Sequence, residues 1–253
     1  MERLTSRSNP LFSKVRKLAK DRSARRETGE FLCDGVKLLE EAIKWQADIT
    51  TVLLTEGTRV PLPQNARCVE IPAPLMASIS PMKAPQGVLF LCRLPRLTAP
   101  EVLQGHTYLV LDGLQDPGNV GTIWRTADAF GADGLLLTGH SADPYNWKTV
   151  RASMGAVFRL PVWEVDQSEI LPLCQRSHLP LCGTALRADT VSLAELPSDR
   201  LALVIGSEGQ GISQQLLSHC DLTVKIPMKP TCESLNAAVA ASVLLWERWR
   251  ESN

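Results

Sequence analysis

Three segments of this 253-residue chain carry residue types that can cradle a nucleotide or anion and aim a fixed cation at it. The first is DGLQDPGNVGTIWR, Asp112 to Arg125, directly after the apolar run Leu109-Val110-Leu111. A strand ending there, a turn at Asp116-Pro117-Gly118 and a helix over Thr122 to Phe130 would form a strand-to-helix junction. Such a junction presents backbone N–H groups, and its glycines permit close approach of a ligand. Arg125, about one helical turn in, is expected on the same edge as Asn119 and Gly121. The second segment, Gly206-Ser207-Glu208-Gly209-Gln210-Gly211, follows the apolar Leu201 to Ile205. Alone it suits a tight turn as well as a nucleotide loop. The third runs from Val224 through Pro227 and Pro230 to Ser234, Leu235 and Asn236, where a long helix should open with Ser234 as a candidate N-cap. The four histidines, His106, His140, His178 and His219, stand apart, with no nucleophile-and-base arrangement and no metal-ligand spacing. The chemistry suggested is therefore binding and alignment, with no metal. A nucleotide-dependent oxidoreductase would need Gly-x-Gly-x-x-Gly and an acidic ribose partner downstream, and residues 206–211 do not supply them.

Positioning these segments calls for alternating strands and helices. Strands are expected at about 107–112, 134–138, 158–165, 180–185, 201–205 and 222–226, with helices between most of them, giving a largely parallel α/β sheet. A closing helix over Ser234 to Arg250 carries Leu235, Val239, Val243 and Trp246 at helical spacing, so Trp246 and Trp249 read as core or interface. Pro95, Leu97 and Pro100 mark a linker. Before it, a helix from Asn9 to about Ala24 has Leu11, Val15 and Leu18 on one side. A helix over Val36 to Trp45, strands at Ile49 to Leu54, Arg67 to Ile71 and Gln86 to Cys92, and a helix at Leu75 to Ser80 follow, which suggests a small α/β domain.

Lys+Arg 27 balance Asp+Glu 27, so net charge does not advertise a nucleic-acid binder. Distribution is more informative: Arg3, Arg7, Lys14, Arg16, Lys17, Lys20, Arg22, Arg25 and Arg26 crowd the start, enough to neutralise several phosphates or to make a solvated helix face. Hydrophobic residues at 44% allow packed cores. No run reaches membrane-span length and the first residues lack a secretory apolar stretch, so no membrane association is expected. Seven scattered cysteines without a Cys-x-x-Cys pair read as free buried thiols in a reducing cytoplasm.

Taken together, Asn119, Gly121 and Arg125, then Gly206, Glu208 and Gly211, then Ile226-Pro227-Met228 with Ser234-Leu235-Asn236, resemble the three motifs of the SpoU (TrmH-like) RNA 2'-O-ribose methyltransferases of the SPOUT superfamily. Arg151 to Ala156 leading to Leu160-Pro161-Val162, and Gly29-Glu30-Phe31 through Gly35, are also similar to family segments. One departure is Pro230, where many members have glycine; it removes a donor and fixes one backbone angle. The resemblance implies a SPOUT α/β domain at 105–253 with a C-terminal trefoil knot, preceded by a small α/β RNA-binding domain at 1–97. It implies S-adenosylmethionine held by backbone at Gly206, Ile226 and Leu235. It casts Arg125, Asn119, Glu208, Ser234 and Asn236 as catalytic residues, and it implies a homodimer acting on RNA. Ribosomal RNA is favoured over transfer RNA because the separate N-terminal domain resembles those of ribosomal-RNA members. A non-catalytic RNA-binding member is the alternative, against which the intact motif residues argue.

Overall fold

The computed structural model describes residues 1–96, 98–185, 190–197, 199–232 and 234–252; Leu97, the middle residue of the expected linker, lies outside them. The chain divides into two compact units, Met1–Arg96 with Asp143–Phe158, and Leu97–Ala142 with Arg159–Asn253.

The first unit contains β1 (Glu2–Arg3), α1 (Pro10–Lys20), α2 (Arg22–Thr28), β2 (Glu30–Asp34), α3 (Val36–Lys44), β3 (Ile49–Thr55), β4 (Arg67–Ile71), α4 (Ala73–Ile79) and β5 (Val88–Arg93). Its mixed sheet has the order β1-β4-β3-β5-β2. Phe12, Val15, Leu18, Leu53, Ile71 and Leu89 form the centre of its core. The single helix expected over Asn9 to Ala24 is two helices. Asp21 is extended (φ −114°, ψ 115°), closing α1 and capping α2 through its carboxylate, which accepts the Ser23 and Ala24 N–H groups at 2.8 and 3.2 Å. The break turns Arg25 inward, so the expected basic stripe loses a member. Arg25 is 2% exposed, ion-paired to Asp143, with Nη1 donating to the Leu18 carbonyl. Segment 143–158 completes this unit: Tyr145 packs on Phe31 at 5.1 Å and Trp147 lies against the core.

The second unit holds β6 (Thr107–Asp112), α5 (Pro117–Ala129) and β7 (Gly134–Thr138); the chain then passes through α6 (Trp147–Ala152) of the first unit. It continues with β8 (Val162–Glu164), α7 (Gln167–Arg176), β9 (Leu181–Thr184), β10 (Thr190–Ser192), β11 (Leu201–Gly206), α8 (Gln214–Leu217), β12 (Leu222–Lys225) and α9 (Ala237–Ser252). The sheet order is β10-β12-β9-β11-β6-β7-β8, and every pairing among the described residues is parallel. β6 through β8 extend one way from the centre and the later strands the other. The strand order thus switches direction at β6 and β11, whose carboxyl ends are Asp112 and Gly206, where open α/β sheets bind ligands.

Four expectations need correction here. Helix α5 starts at Pro117, not Thr122. Asp116 is its N-cap, accepting the Asn119 N–H at 2.8 Å, and Pro117 is pre-shaped for a first helical position. The strand expected at 158–165 shrinks to β8, because Met154 (φ 49°) and Gly155 (φ 94°) are left-handed and Ala156–Phe158 is a 3-10 turn. Helix α9 begins at Ala237, not Ser234, since Asn236 rather than Ser234 accepts from the first-turn N–H groups of Ala238 and Val239 (2.9 and 3.3 Å). Finally, α9 buries Ala237, Ala238, Ala241, Leu244 and Leu245, while Val239, Trp246 and Trp249 stay 40–48% exposed, so that of the core-or-interface expectation for the two tryptophans the core half fails. Strand β10 had no expected counterpart.

Among the cysteines, Cys33, Cys92, Cys174, Cys182 and Cys220 are buried free thiols, whereas Cys232 is exposed and Cys68 half-buried. Burial pushes the Cys174 and Cys182 thiols up to about 12, which keeps them protonated and inert. Among the described residues, no helix is long and apolar enough to cross a membrane.

Candidate active site

The loops after β6, β11 and β12 meet at one end of the second sheet. After β11 the chain makes a closed turn: Ser207 N–H donates to the Gly211 carbonyl at 3.1 Å, and Gly211 N–H returns to Ser207 at 2.9 Å. This closure lays backbone directly over Gly206. A Cβ there would stand 2.1 Å from the Gly211 carbonyl carbon and 2.2 Å from the Ile212 nitrogen. Only glycine fits.

Between this turn and the segment after β12 lies a cavity of about 740 Å³. Its wall includes Gly206, Glu208, Ile226, Ser234, Leu235 and Pro230. All three residues expected to hold a cofactor thus line one space, of the size and mostly apolar character usual for small-molecule sites. Ile205, Val224 and Pro227 add apolar surface, while Lys225 and Lys229 stand at exposed positions of the same wall.

At the rim, three of the expected catalytic residues are joined. Asn119 Nδ2 donates to Glu208 Oε1, and Asn236 Nδ2 donates to Asn119 Oδ1 at 3.1 Å. Asn236 Oδ1 meanwhile caps α9. One side chain from each motif therefore enters a single chain of hydrogen bonds, anchored to a helix terminus. Ser234 lines the cavity but is not a member of that chain.

Arg125 is not brought to the cavity. It follows Gly121 by one turn, yet Gly121 is buried while Arg125 is exposed. It stands about 120° around α5 from Asn119, because both belong to the same helix. No hydrogen bond or ion pair holds the Arg125 side chain among the described residues, so its guanidinium is presented to solvent. Asn119 instead faces a second, open groove of about 460 Å³ between α5 and α9, with Thr122, Phe130, Asn236, Val239 and Trp246. Phe130, Trp246 and Trp249 form an aromatic cluster beside it, ring centroids 5.6–6.0 Å apart.

One buried carboxylate at this end of the sheet lies outside the expected site residues. Asp112, 5% exposed, accepts the Ser213 N–H through Oδ2 at 2.7 Å. Its signal in the sequence is a carboxylate closing an otherwise apolar buried strand.

The SpoU rRNA Methylase family model matches residues 106–246, more than half of the chain, and an MRM3-like substrate binding domain matches residues 9–89. The chain belongs to the SpoU rRNA methylase family. Among this SpoU member's relatives is the 23S rRNA (guanosine(2553)-2'-O)-methyltransferase RlmP of Bacillus subtilis, 32% identical across 97% of this chain and 98% of that protein. The 23S rRNA (uridine(2479)-2'-O)-methyltransferase of Streptomyces viridochromogenes is 34% identical over 98% of this chain and 92% of its own. The SpoU methyltransferase AviRb from that organism, solved in complex with the cofactor AdoMet, superimposes with a TM-score of 0.88 at 29% identity, covering 96% of this chain and 98% of that one. The likeness thus spans both units of the SpoU chain.

Proposed function

We propose that this protein transfers a methyl group from S-adenosylmethionine to a ribose 2'-hydroxyl of structured RNA, and that the RNA is ribosomal. The observation that carries the reading is a cavity walled by the second- and third-motif loops, to which the first motif is tied by the Glu208–Asn119–Asn236 chain of hydrogen bonds. The full-length relatives named as 23S rRNA 2'-O-methyltransferases support the substrate class.

The residues present fit the donor. The apolar wall of Ile205, Val224, Ile226 and Leu235 suits adenine, and the closed turn over Gly206 offers fixed backbone groups without side-chain ordering. Glu208 sets a carboxylate at the wall, complementary to a cationic sulfonium. S-adenosylmethionine, when bound, supplies an electrophilic methyl carbon. The chain's own work is alignment and charge: Gly206, Ile226 and Leu235 hold the donor, while Asn119, Glu208 and Asn236 fix the rim against which the ribose is set. Ser234 orients the substrate or the loop. Arg125, a permanent cation, binds phosphate and stabilises charge developing on the attacking oxygen.

Residues 1–97 select the RNA, and residues 105–253, apart from the segment 143–158 that packs within the first unit, are the methyltransferase domain. Exposed Arg7, Arg16, Lys17 and Lys20 give the selecting domain a surface for phosphates. The working form is a cytoplasmic homodimer. Its contact is the α5–α9 groove, whose exposed Val239, Trp246 and Trp249 a second copy would cover. Arg125's position away from its own chain's cavity supports a site built by two copies.

The test is calorimetry with S-adenosylmethionine beside transfer of labelled methyl to ribosomal RNA. Arg125→Ala should bind the donor like the parent and lose about 10²-fold or more of turnover. A parent protein that takes up no donor would be an RNA-binding module and not an enzyme. Unchanged turnover in Arg125→Ala would remove that residue from the reaction. Mapping ribose methylation in cells lacking the protein identifies the nucleotide.

A further inference from the structure

Asp112, Gly206 and Thr138 stand level across three neighbouring strands, with Asp112 on β6 in register with Gly206 on β11 and Thr138 on β7. Adjacent strands lie about 4.8 Å apart and level residues on parallel strands project to the same face. Because Gly206 has no side chain, the Asp112 carboxylate reaches the far end of the turn that starts there and accepts the Ser213 N–H at 2.7 Å. That is a short, charge-assisted bond made by a residue 5% exposed. Ser213 is held on its other side by Gln167, whose Nε2 donates to the serine hydroxyl. Residues 206–213 are therefore fastened at both ends: by the strand at Gly206, and by Asp112 at Ser213. Between the two fastenings lie the Ser207–Gly211 closure and Glu208, the turn's contribution to both cavity wall and rim.

We propose that Asp112 is a positioning residue for methyl transfer: by holding Ser213 it sets the second-motif turn at the height at which Gly206 meets the donor and Glu208 meets Asn119. The carboxylate touches neither donor nor ribose. It acts through the loop, and this rests on the cavity being the donor site.

Three variants separate positioning from plain stability. Asp112→Ala removes the acceptor, and Asp112→Asn keeps an acceptor oxygen. Ser213→Pro removes the donor, at a residue whose φ of −57° proline already matches. Calorimetry with S-adenosylmethionine should show Kd raised about tenfold or more in Asp112→Ala and Ser213→Pro, as expected for losing a hydrogen bond to a charged group. Asp112→Asn should stay within about threefold of the parent. The double variant Asp112→Ala/Ser213→Pro should be no worse than Ser213→Pro alone, because proline already breaks the Asp112 bond along with the hydroxyl's bond to Gln167. A merely structural role predicts lowered Tm with Kd unmoved, and that result overturns the proposal; so does a double variant whose losses multiply. Should Asp112→Ala fail to fold, Ser213→Pro and Asp112→Asn decide alone. A parent protein without donor binding would sink the assigned function instead, and is read from the same titration.

Discussion

Substituting the three glycines of the second-motif turn one at a time tests the steric reading most directly, because the structure assigns each a different reason for being there. Gly206 does not have a left-handed backbone; its constraint is space, with three backbone atoms of Gly211 and Ile212 within 2.4 Å of any added Cβ. Ordinary carbon contacts lie at about 3.5–4.0 Å, so the covering strand of the turn must retreat by about 1 Å or more. No flexible side-chain end is available to move instead. Gly211 presents the opposite case: its φ is +68° and a Cβ would meet nothing within 4 Å. An L-residue there costs about 1–2 kcal/mol in conformation alone. Gly209 has neither restriction.

Gly206→Ala should therefore be the most damaging, Gly211→Ala intermediate and Gly209→Ala nearly silent. Forced backbone shifts of this kind cost about 1–3 kcal/mol, and a clash with fixed backbone places this one at about 3 kcal/mol. If that displacement falls on the cavity wall, donor affinity drops about 100-fold, since each 1.4 kcal/mol is about tenfold. Gly211→Ala should lose about tenfold, and Gly209→Ala should remain within about threefold. Calorimetry with S-adenosylmethionine gives affinity, and thermal melts taken alongside report how much of the cost is global. Gly206→Ala binding like the parent, or Gly209→Ala as damaged as Gly206→Ala, would refute the argument that backbone contact at residue 206 shapes the site.

Trp246→Glu, which puts a charge into the aromatic cluster beside the α5–α9 groove, should convert a dimer to a monomer in light scattering while leaving the fold intact; a dimer that persists places the contact elsewhere. Asp143→Ala leaves the Arg25 guanidinium buried without its carboxylate and should cost about 3–5 kcal/mol in urea unfolding, whereas a matched apolar pair, Arg25→Met with Asp143→Leu, should cost much less. Burial raises the Asp34 carboxyl above its ordinary value, against the lowering influence of its bond to Ser80 and of the Arg151 charge. Its contribution to stability is present below the usual aspartate range and is lost as pH rises through the raised value. Asp34→Asn should accordingly melt higher than the parent at pH 7, with the gap closing on acidification; a gap independent of pH would deny the burial effect.

The central strands were legible in the sequence because they are buried on both faces and so read as unbroken apolar runs: every residue of β7 is buried, and β6 and β11 depart from this only at Thr107 and Gly206. The loop residues expected at the site were legible as types, and Gly206, Glu208, Ile226, Ser234 and Leu235 do line one cavity. Local boundaries misled where one residue serves two purposes. Asp-Pro-Gly signals a turn, but aspartate as N-cap followed by proline at the first helical position is an equally good helix start, and the Asn119 N–H decides for the helix. Arg25 read as one more surface cation because its partner, Asp143, is 118 residues away. The exposed Val239 and Trp246 sit at helical spacing as a core stripe would, and periodicity cannot say which stripe faces inward when alanines can line the other.

Asp112 shows why the deeper part of the site was illegible. A motif reading weighs residues that could line a ligand site, and Asp112 is not in the cavity wall; strand register sets it beside a glycine, where it reaches the Ser213 N–H. The same logic runs through the rim. Asn119 is fixed by Glu208 and Asn236, and Asn236 is fixed in turn because its oxygen caps α9. Reaction by in-line transfer to a hydroxyl gains most from such fixing, since misplacement of about 1 Å costs about 10²-fold in rate. Asn119 and Asn236 also face the open groove between α5 and α9, so the side chains that hold the cavity rim are the ones a docked second copy would touch. Covering that groove would immobilise the rim, and an isolated chain should then bind donor yet turn over slowly.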